Sequence, residues 1–431
     1  MPFDLIRLGE LAAAVPNAIA AGPFGSNLVG KDYVPSGVPV IRGQNLQGKL
    51  IGGEFVFVSE EKALSLKSNT AKPGDVVFTQ RGTLGQVSLV PPAPFPKYVV
   101  SQSQMKITVD VGKVSPEFVY YATTTTDFIK QVHDNAVAAG VPHINLGTLR
   151  QLTIPFPNRD GQDQIVGVLA ALDDKITLLR ETNATLEAIA QAIFKSWFVD
   201  FDPVRAKAEG RDAEGVPTEV ADLFPSEFED SELGVIPKGW QVGTLGEVST
   251  NVRSQARPEE FSDEIPYIGL EHMPRQSIAL GEWEPATKVD SAKSRFEKGQ
   301  LLFGKLRPYF HKVGIAPVDG VCSTDILVIE PKAPGYRAFC VCHFSSKKLV
   351  DYATQLSNGA KMPRTSWHDL ARYEVPIPTL EIGSAFNSIV EPMIGRIVEN
   401  THHVRALGEL RDTLLPRLMS GKLRIDGICT W

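Results

Sequence analysis

The sequence predicts an α+β protein in which two domains of short strands and long loops alternate with two long helices. Three observations carry that prediction. At 431 residues the chain exceeds the usual reach of a single hydrophobic core. Its two halves match each other at a nearly constant offset. Each half also changes texture once, from β-branched runs punctuated by Gly and Pro to apolar residues spaced alternately three and four apart.

The duplication sets the boundaries. Pro142, Asn145, Leu149 and Ile154-Pro155-Phe156-Pro157 return 221 positions later as Pro363, Ser366, Leu370 and Val375-Pro376-Ile377-Pro378. The same offset pairs Ser103, Gln104 and Met105 with Thr324, Asp325 and Ile326. Upstream the offset drifts, as changing loop lengths make it do. Gly74, Val77 and Phe78 match Gly299, Leu302 and Phe303 at 225, and Pro39 and Ile41 match Pro266 and Ile268 at 227. Leu8-Gly9-Glu10-Leu11 returns as Leu245-Gly246-Glu247-Val248.

Taken in order, residues 1–158 form the first domain, with strands at Val38–Ile41 and 75–78 and a helix near 116–131. Residues 159–201 form a helix in which Leu169, Leu172, Ile176, Leu179, Asn183, Leu186, Ala190, Ile193 and Trp197 trace the a/d seam of a coiled coil. Residues 202–233 form an acidic connector broken by Pro203, Gly210, Gly215, Pro217 and Pro225. It reads as a tether or, through Trp197, Phe198 and Phe201 at its entrance, as a cap on the coiled coil. Residues 234–378 repeat the first domain, with a strand at 325–329, and residues 379–425 repeat the helix. The second seam runs Val390, Met393, Ile397, Asn400, Val404, Leu407, Arg411, Leu414 and Leu418. Two matched stripes point to helices that pack on each other rather than each on its own domain. Asn183 and Asn400 do not correspond in the repeat, and a polar residue on such a seam fixes register or orientation at a cost in stability.

Composition narrows the class. With 43% apolar and 22% charged residues the chain is neither disordered nor fibrous. No run of about eighteen apolar residues suggests a membrane span, and the N-terminus lacks the pattern of a secretory signal. Cys322, Cys340, Cys342 and Cys429 show no paired Cys-x-x-Cys clips, so free structural thiols in a reducing cytoplasm are expected. The net charge of −6 is uneven: +2 for residues 1–158, −9 for 159–240, +1 for 241–378 and 0 for the remainder. The acidity is confined to the middle segment, which leaves both loop domains free to present local basic faces.

Catalytic constellations fail when read residue by residue. Residues 25–31 fit phosphate-loop spacing, but Asp32 stands where a magnesium-binding hydroxyl belongs. No nucleophile elbow, metal-binding His-Glu-x-x-His helix or paired-glycine dinucleotide motif occurs, nor the loop with which DNA amino-methyltransferases hold a flipped base. His402-His403 reads as a solvated helix face rather than a ligand pair, and Cys340-x-Cys342-His343 lacks a second cluster. No catalytic residue and no metal site is expected.

Side chains of the kind that read base edges do recur, on loops beside short strands. In the first domain these are Arg42, Gln44 and Asn45, then Gln80, Arg81 and Thr83, then Ser101, Gln102, Ser103 and Gln104. In the second they are Glu271 and His272, then Lys305, Arg307, Tyr309, His311 and Lys312, then Ser323 and Thr324. Arg forks suit guanine, Asn and Gln amides suit adenine, and hydroxyls and amides also hold phosphates. Loops that correspond in position but differ in side chains suit one scaffold reading two different short sequences.

On these residues the chain resembles the specificity (S) subunits of type I restriction-modification systems. The likeness rests on Gly22-Pro23-Phe24-Gly25-Ser26, on Ile41-Arg42-Gly43-Gln44-Asn45-Leu46 and on the Gly-Asp-Val-Val-Phe-Thr-Gln-Arg-Gly run of residues 74–82. It continues through residues 154–157 into Gln162 and Gln164, and through Lys195-Ser196-Trp197-Phe198-Val199-Asp200-Phe201. The second copy departs from these motifs: Gly304-Lys305-Leu306-Arg307 stands in place of Thr79-Gln80-Arg81-Gly82, and residues 379–384 lack the two Gln.

The resemblance implies that the loop domains are target recognition domains, each reading half of a bipartite, asymmetric DNA site. It implies an antiparallel coiled coil that sets their separation and docks two modification (methyltransferase) subunits, with restriction subunits joining for cleavage. Adenine methylation from S-adenosylmethionine, and ATP- and magnesium-dependent cleavage, would belong to those partners, with no cofactor in this chain. A coiled-coil adaptor without DNA specificity, or a fragment of a DNA-modifying enzyme, are the rival readings.

Overall fold

In the first half, strands Ile19–Ala21, Gln104–Ile107, Val76–Thr79 and Val87–Leu89 pair in that order into an antiparallel sheet. A second sheet takes Tyr33–Val34, Val56–Val58, Val38–Ile41, Tyr98–Val100 and Thr70–Ala71, and its one parallel pair sets Ile41 beside Val100. The computed structural model describes residues 3–137, 140–357 and 362–424. It divides into two units, Met1–Asp174 with Gly408–Trp431, and Lys175–Leu407. Cys429 and residue 425, the end of the expected second helix segment, lie outside the described residues.

The second unit repeats both sheets. Ser249–Asn251, Ile326–Pro331, Leu301–Gly304 and Val313–Ile315 form the first. Gln255–Ala256, Lys293–Phe296, Gly320–Cys322, Pro266–Ile268 and Glu284–Pro285 form the second, whose parallel pair sets Ile268 beside Cys322. The copies differ at both edges: Tyr33–Val34 extends the first sheet beyond Val56–Val58, whereas Gln255–Ala256 extends the second at the opposite edge, beyond Lys293–Phe296.

Strand register corrects one alignment. Thr79 pairs with Gln104 and Gly304 pairs with Ile326, so Gln104 corresponds to Ile326 rather than to Asp325. Both strands are buried on both faces there, and without an alternation of polar and apolar residues the sequence has nothing to fix the register. The helix expected near 116–131 is two helices, Pro116–Thr123 and Thr126–Asp134, the second capped by the Thr125 hydroxyl. Asn145 and Ser366, matched in the repeat, both act as N-caps, of Leu146–Gln151 and Trp367–Ala371.

Two 40-residue helices, Arg159–Phe198 and Leu380–Met419, each contribute one stretch to each unit. Within the second unit they meet at one polar layer. The Asn400 amide donates to Asn183 Oδ1 at 2.8 Å, and Asn183 Nδ2 reaches the Ile397 carbonyl at 3.3 Å. The two asparagines, unmatched in the repeat, are therefore partners of each other across an antiparallel pair. Within the first unit the seam position Arg411 donates to Asp173 at 2.8 Å, and Tyr121 OH donates to the other oxygen of that carboxylate at 2.8 Å. Burial and the Asp173 charge both push the Tyr121 phenol above its ordinary range.

The seams also turn onto their own domains. Ile165, Leu169, Leu418 and Met419 join the core of the first unit, and Phe194, Trp197, Phe386, Val390 and Ile394 that of the second. Leu172, Ile193 and Met393 are only partly buried, while Asp173, Phe194 and Ile394 beside them are buried, because domain packing widens the stripe beyond a strict a/d seam.

The connector is no extended tether. Asp202–Ala208 is a helix with Val204 fully buried, and Lys207 Nζ donates to the carbonyls of Ala221, Asp222 and Phe224. Trp197, Phe198 and Phe201 are buried in an aromatic cluster with Phe224, Trp240 and Phe386. His402 is likewise not a solvated residue. Its Nε2 lies 3.0 Å from the Pro317 carbonyl, its ring meets Trp283 edge-on, and Arg405 stacks 3.9 Å from the Trp283 centroid. Cys322, Cys340 and Cys342 are free and buried, and burial raises each thiol's pKa. Among the described residues no helix is long and apolar enough to cross a membrane.

Candidate nucleic-acid interface

The parallel pairs decide where the polar loops go. In the first unit the strands ending at Ile41 and Val100 deliver Arg42 and Ser101 side by side, with the Ser101 amide donating to the Ile41 carbonyl at 3.0 Å. The loop of residues 79–86 closes against them: the amides of Gln80 and Arg81 donate to the Ser103 carbonyl at 2.7 and 3.2 Å. Residues 142–144 complete the frame, Gly82 N donating to Pro142 O at 3.1 Å and Ile144 N to Gln80 O at 3.0 Å. The three predicted clusters thus form one surface. Gly22 explains the motif around it, since a Cβ there would lie 1.8 Å from the Ser101 carbonyl oxygen.

Within that surface the side chains divide. Asn45 is 1% exposed, accepts from the Arg42 amide at 2.9 Å and donates to the Gly52 and Glu54 carbonyls, so its amide is used by the fold. Gln44 donates to the Glu54 carbonyl, and Gln102 holds the Gly25 and Leu28 carbonyls. Ser101 donates to Gln104, which is buried. Arg81 and Thr83 are exposed, and the Arg81 guanidinium has no partner among the described residues. Arg42 Nε and Gln80 Oε1 are buried polar atoms without a partner, an uncommon state in a finished fold.

The second unit rebuilds four of these five bonds. Ser323 N donates to Ile268 O at 3.0 Å, Lys305 N to Asp325 O at 2.9 Å, Arg307 N to Pro363 O at 2.8 Å and Thr365 N to Lys305 O at 3.0 Å. The side chains on it are different in kind. Lys305 and Arg307 are half-exposed, and Tyr309 is 50% exposed, its ring 4.8 Å from that of Phe310. Lys312 donates to the Leu270 carbonyl, and burial together with the neighbouring Arg275 lowers its pKa. His311 Nε2 lies 2.9 Å from the Ser345 carbonyl, and His272 Nδ1 accepts from the Gly269 amide at 2.9 Å.

Backbone conformation marks the same loops. In residues 79–86 the left-handed corners are Gly82 and Gly85, with φ of 100° and 91°. In residues 304–312 they are Arg307 and His311, with φ of 52° and 51°, a conformation that side chains disfavour. Sequence reading missed His143, Arg275 and Arg364, which reach these surfaces from other segments. Arg364 pairs with Asp325 at 3.1 Å, and Arg275 lies over Phe310 at 4.2 Å. Pro142 and Pro363 had flagged the segments holding His143 and Arg364, but only as markers of the repeat.

Glu271, His272 and Glu284 are the described acid and imidazole groups close enough to share a cation, within 4.8 Å of one another. The Gly269 amide takes up the Nδ1 lone pair of His272, which puts the ring proton on Nε2 and leaves neither nitrogen with a free lone pair for a metal. In the phosphate-loop-like segment Asp32 accepts from the Val29 amide at 2.8 Å and pairs with Lys62 at 3.2 Å, so its carboxylate serves the turn.

Comparison with known proteins agrees with this geometry. A family model described as the type I restriction modification DNA specificity domain matches residues 19–188 and 237–405. The type I restriction enzyme MjaIX specificity subunit of Methanocaldococcus jannaschii is 27% identical over 427 residues, covering 95% of this chain and 91% of that protein. The HindI specificity subunit of Haemophilus influenzae is 26% identical, covering 87% and 93%. The crystal structure of the type I restriction-modification S subunit from M. genitalium superposes with a TM-score of 0.57 at 16% identity, over 97% of this chain and 96% of that one, and shares its fold.

Proposed function

The chain belongs to the type I restriction-modification DNA specificity family, and from that premise we propose that its two loop frames read the two halves of one interrupted, asymmetric DNA site. It is a DNA-recognition subunit of a restriction-modification complex rather than an enzyme. In our reading residues 1–158 and 234–378 are the two target recognition domains, and the complex holds two modification subunits, joined by restriction subunits for cleavage. Those partners would transfer methyl groups to adenine from S-adenosylmethionine and use ATP and magnesium, in the cytoplasm.

One observation supports the two-module reading above the rest. Four of the five main-chain bonds of the frame recur in both units while the displayed side chains change from Gln80, Arg81 and Thr83 to Lys305, Arg307 and Tyr309. A conserved frame with exchanged side chains is what reading two different sequences requires. Arg81, with an exposed and unpartnered guanidinium, is the first candidate for a guanine contact or a phosphate.

Methylation mapping of the assembled complex tests this. Arg81→Ala should relax base preference in one half-site and leave the other unchanged, and Lys305→Ala should do the converse, each lost bidentate base contact removing about 1–3 kcal/mol of discrimination. Equal changes in both halves from either variant would refute the division of labour.

A further inference from the structure

Residues 304–312 are bent in a way that their own sequence does not favour. Both corners, Arg307 and His311, are non-glycine residues at left-handed φ, and Gln276, whose amide donates to the His311 carbonyl at 2.8 Å, is a third at φ 54°. The matching loop of the first unit uses Gly82 and Gly85 at its corners and needs no outside restraint.

An outside restraint is present in the second unit, and it comes from the first long helix. Glu187 accepts from Ser277 Oγ at 2.7 Å and from the Ile278 amide at 3.0 Å, gripping the segment that holds Gln276. One turn on, Gln191 donates to the Cys342 carbonyl at 3.1 Å and to Ser345 Oγ at 2.9 Å, and the Ser345 carbonyl meets His311 Nε2 at 2.9 Å. The two grips flank a cavity of about 290 Å³ lined by Glu187, Gln191, Gln276 and His311. The matching positions of the second helix, 221 residues on, are Gly408 and Asp412, so the duplication did not carry this clamp to the other copy.

We propose that Glu187 and Gln191 are positioning residues that hold the loop of residues 304–312 in its reading conformation, so that the helix sets the base preference of one half-site without touching DNA. The proposal rests on the reading that this loop meets DNA. It assigns a specificity role to residues that lie on neither recognition loop.

Amide hydrogen exchange on the full chain, and methylation mapping of the complex with its modification subunits, test it separately. In Glu187→Ala and Gln191→Ala, exchange at His311, Lys312 and Gln276 should rise roughly tenfold, as loss of one or two hydrogen bonds allows, while residues 79–86 stay as protected as before. Selectivity should fall at the half-site that responds to Lys305→Ala and hold at the other. Glu187→Gln, which keeps an acceptor for Ile278, should recover most of both. Unchanged exchange in the loop overturns the positioning role. Faster exchange with no change at either half-site leaves the clamp standing and instead overturns the assignment of this loop to DNA. Should the Ala variants lose protection throughout the chain, Ser277→Ala, which deletes one donor at the surface of the clamp, decides by the same comparison.

Discussion

His343 shows how one residue ties the fold to solution conditions. Its ring is buried between Phe194 and Phe339, with centroids 4.6 and 4.4 Å away, and Nε2 has no partner. Burial, aided by the nearby Lys348, depresses its pKa to about 3. In the unfolded chain the imidazole takes a proton below about 6.5, whereas the folded chain refuses it until about 3. The contribution is therefore fully present above pH 6.5 and is lost as pH falls toward 3, at up to about 1.4 kcal/mol per pH unit. Denaturant unfolding between pH 7.5 and 5 should show that slope in the parent chain, and a shallower one in His343→Leu. Parallel slopes would mean that the ring is protonated in place. Asn45 makes a different point at the same scale: the sequence marks it as a base reader, yet its three hydrogen bonds within the fold occupy it.

Among the elements, the loops of residues 79–86 and 304–312 combine a shared backbone with independent side chains. Gly82 lies at φ 100° with no atom within 4 Å of where a Cβ would stand, so Gly82→Ala introduces backbone strain and no clash. The strain of about 1–2 kcal/mol should be relieved by rearrangement of residues 79–86 rather than by unfolding. Thermal unfolding of this variant should shift little, while selectivity falls about tenfold at the half-site that responds to Arg81→Ala. Intact selectivity would show that the corner does not shape the reading surface. The paired helices behave otherwise, because a buried polar layer couples them. Asn400 donates to Asn183, whose own amide turns to the Ile397 carbonyl, while Asn400 Oδ1 stays without a partner, an arrangement that favours specificity of register over stability.

For the whole molecule, we propose that the helix pair is a ruler for the unread gap. The register set by Asn183 and Asn400 puts Leu179 level with Val404, so heptads inserted after Leu179 and after Asn400 fall in the same layer and preserve both neighbouring contacts. Each adds about 10 Å at 1.5 Å per residue. Methylation mapping should then return both half-site sequences unchanged with a gap longer by roughly one to three base pairs, since groove faces on one side recur about every ten. Insertion of two residues instead should turn the seam out of register and abolish the complex. An unlengthened gap in an active heptad variant would show that something other than the helices sets the spacing.

The sequence by itself determined the duplicated order of domains and helices, the seam, and which loops would carry the polar side chains. Those features are written locally, as repeats and periodicities that survive whatever the chain packs against. Tertiary structure alone decided the rest. It aligned Gln104 with Ile326 because strands buried on both faces carry no alternation to read. It made Asn183 and Asn400 partners, turned His402 into a contact for Trp283, and joined Glu187 to Ser277 and Ile278. Each of these is a meeting of residues distant in sequence, and hydrogen bonds and burial depend on that meeting rather than on either residue's neighbours along the chain.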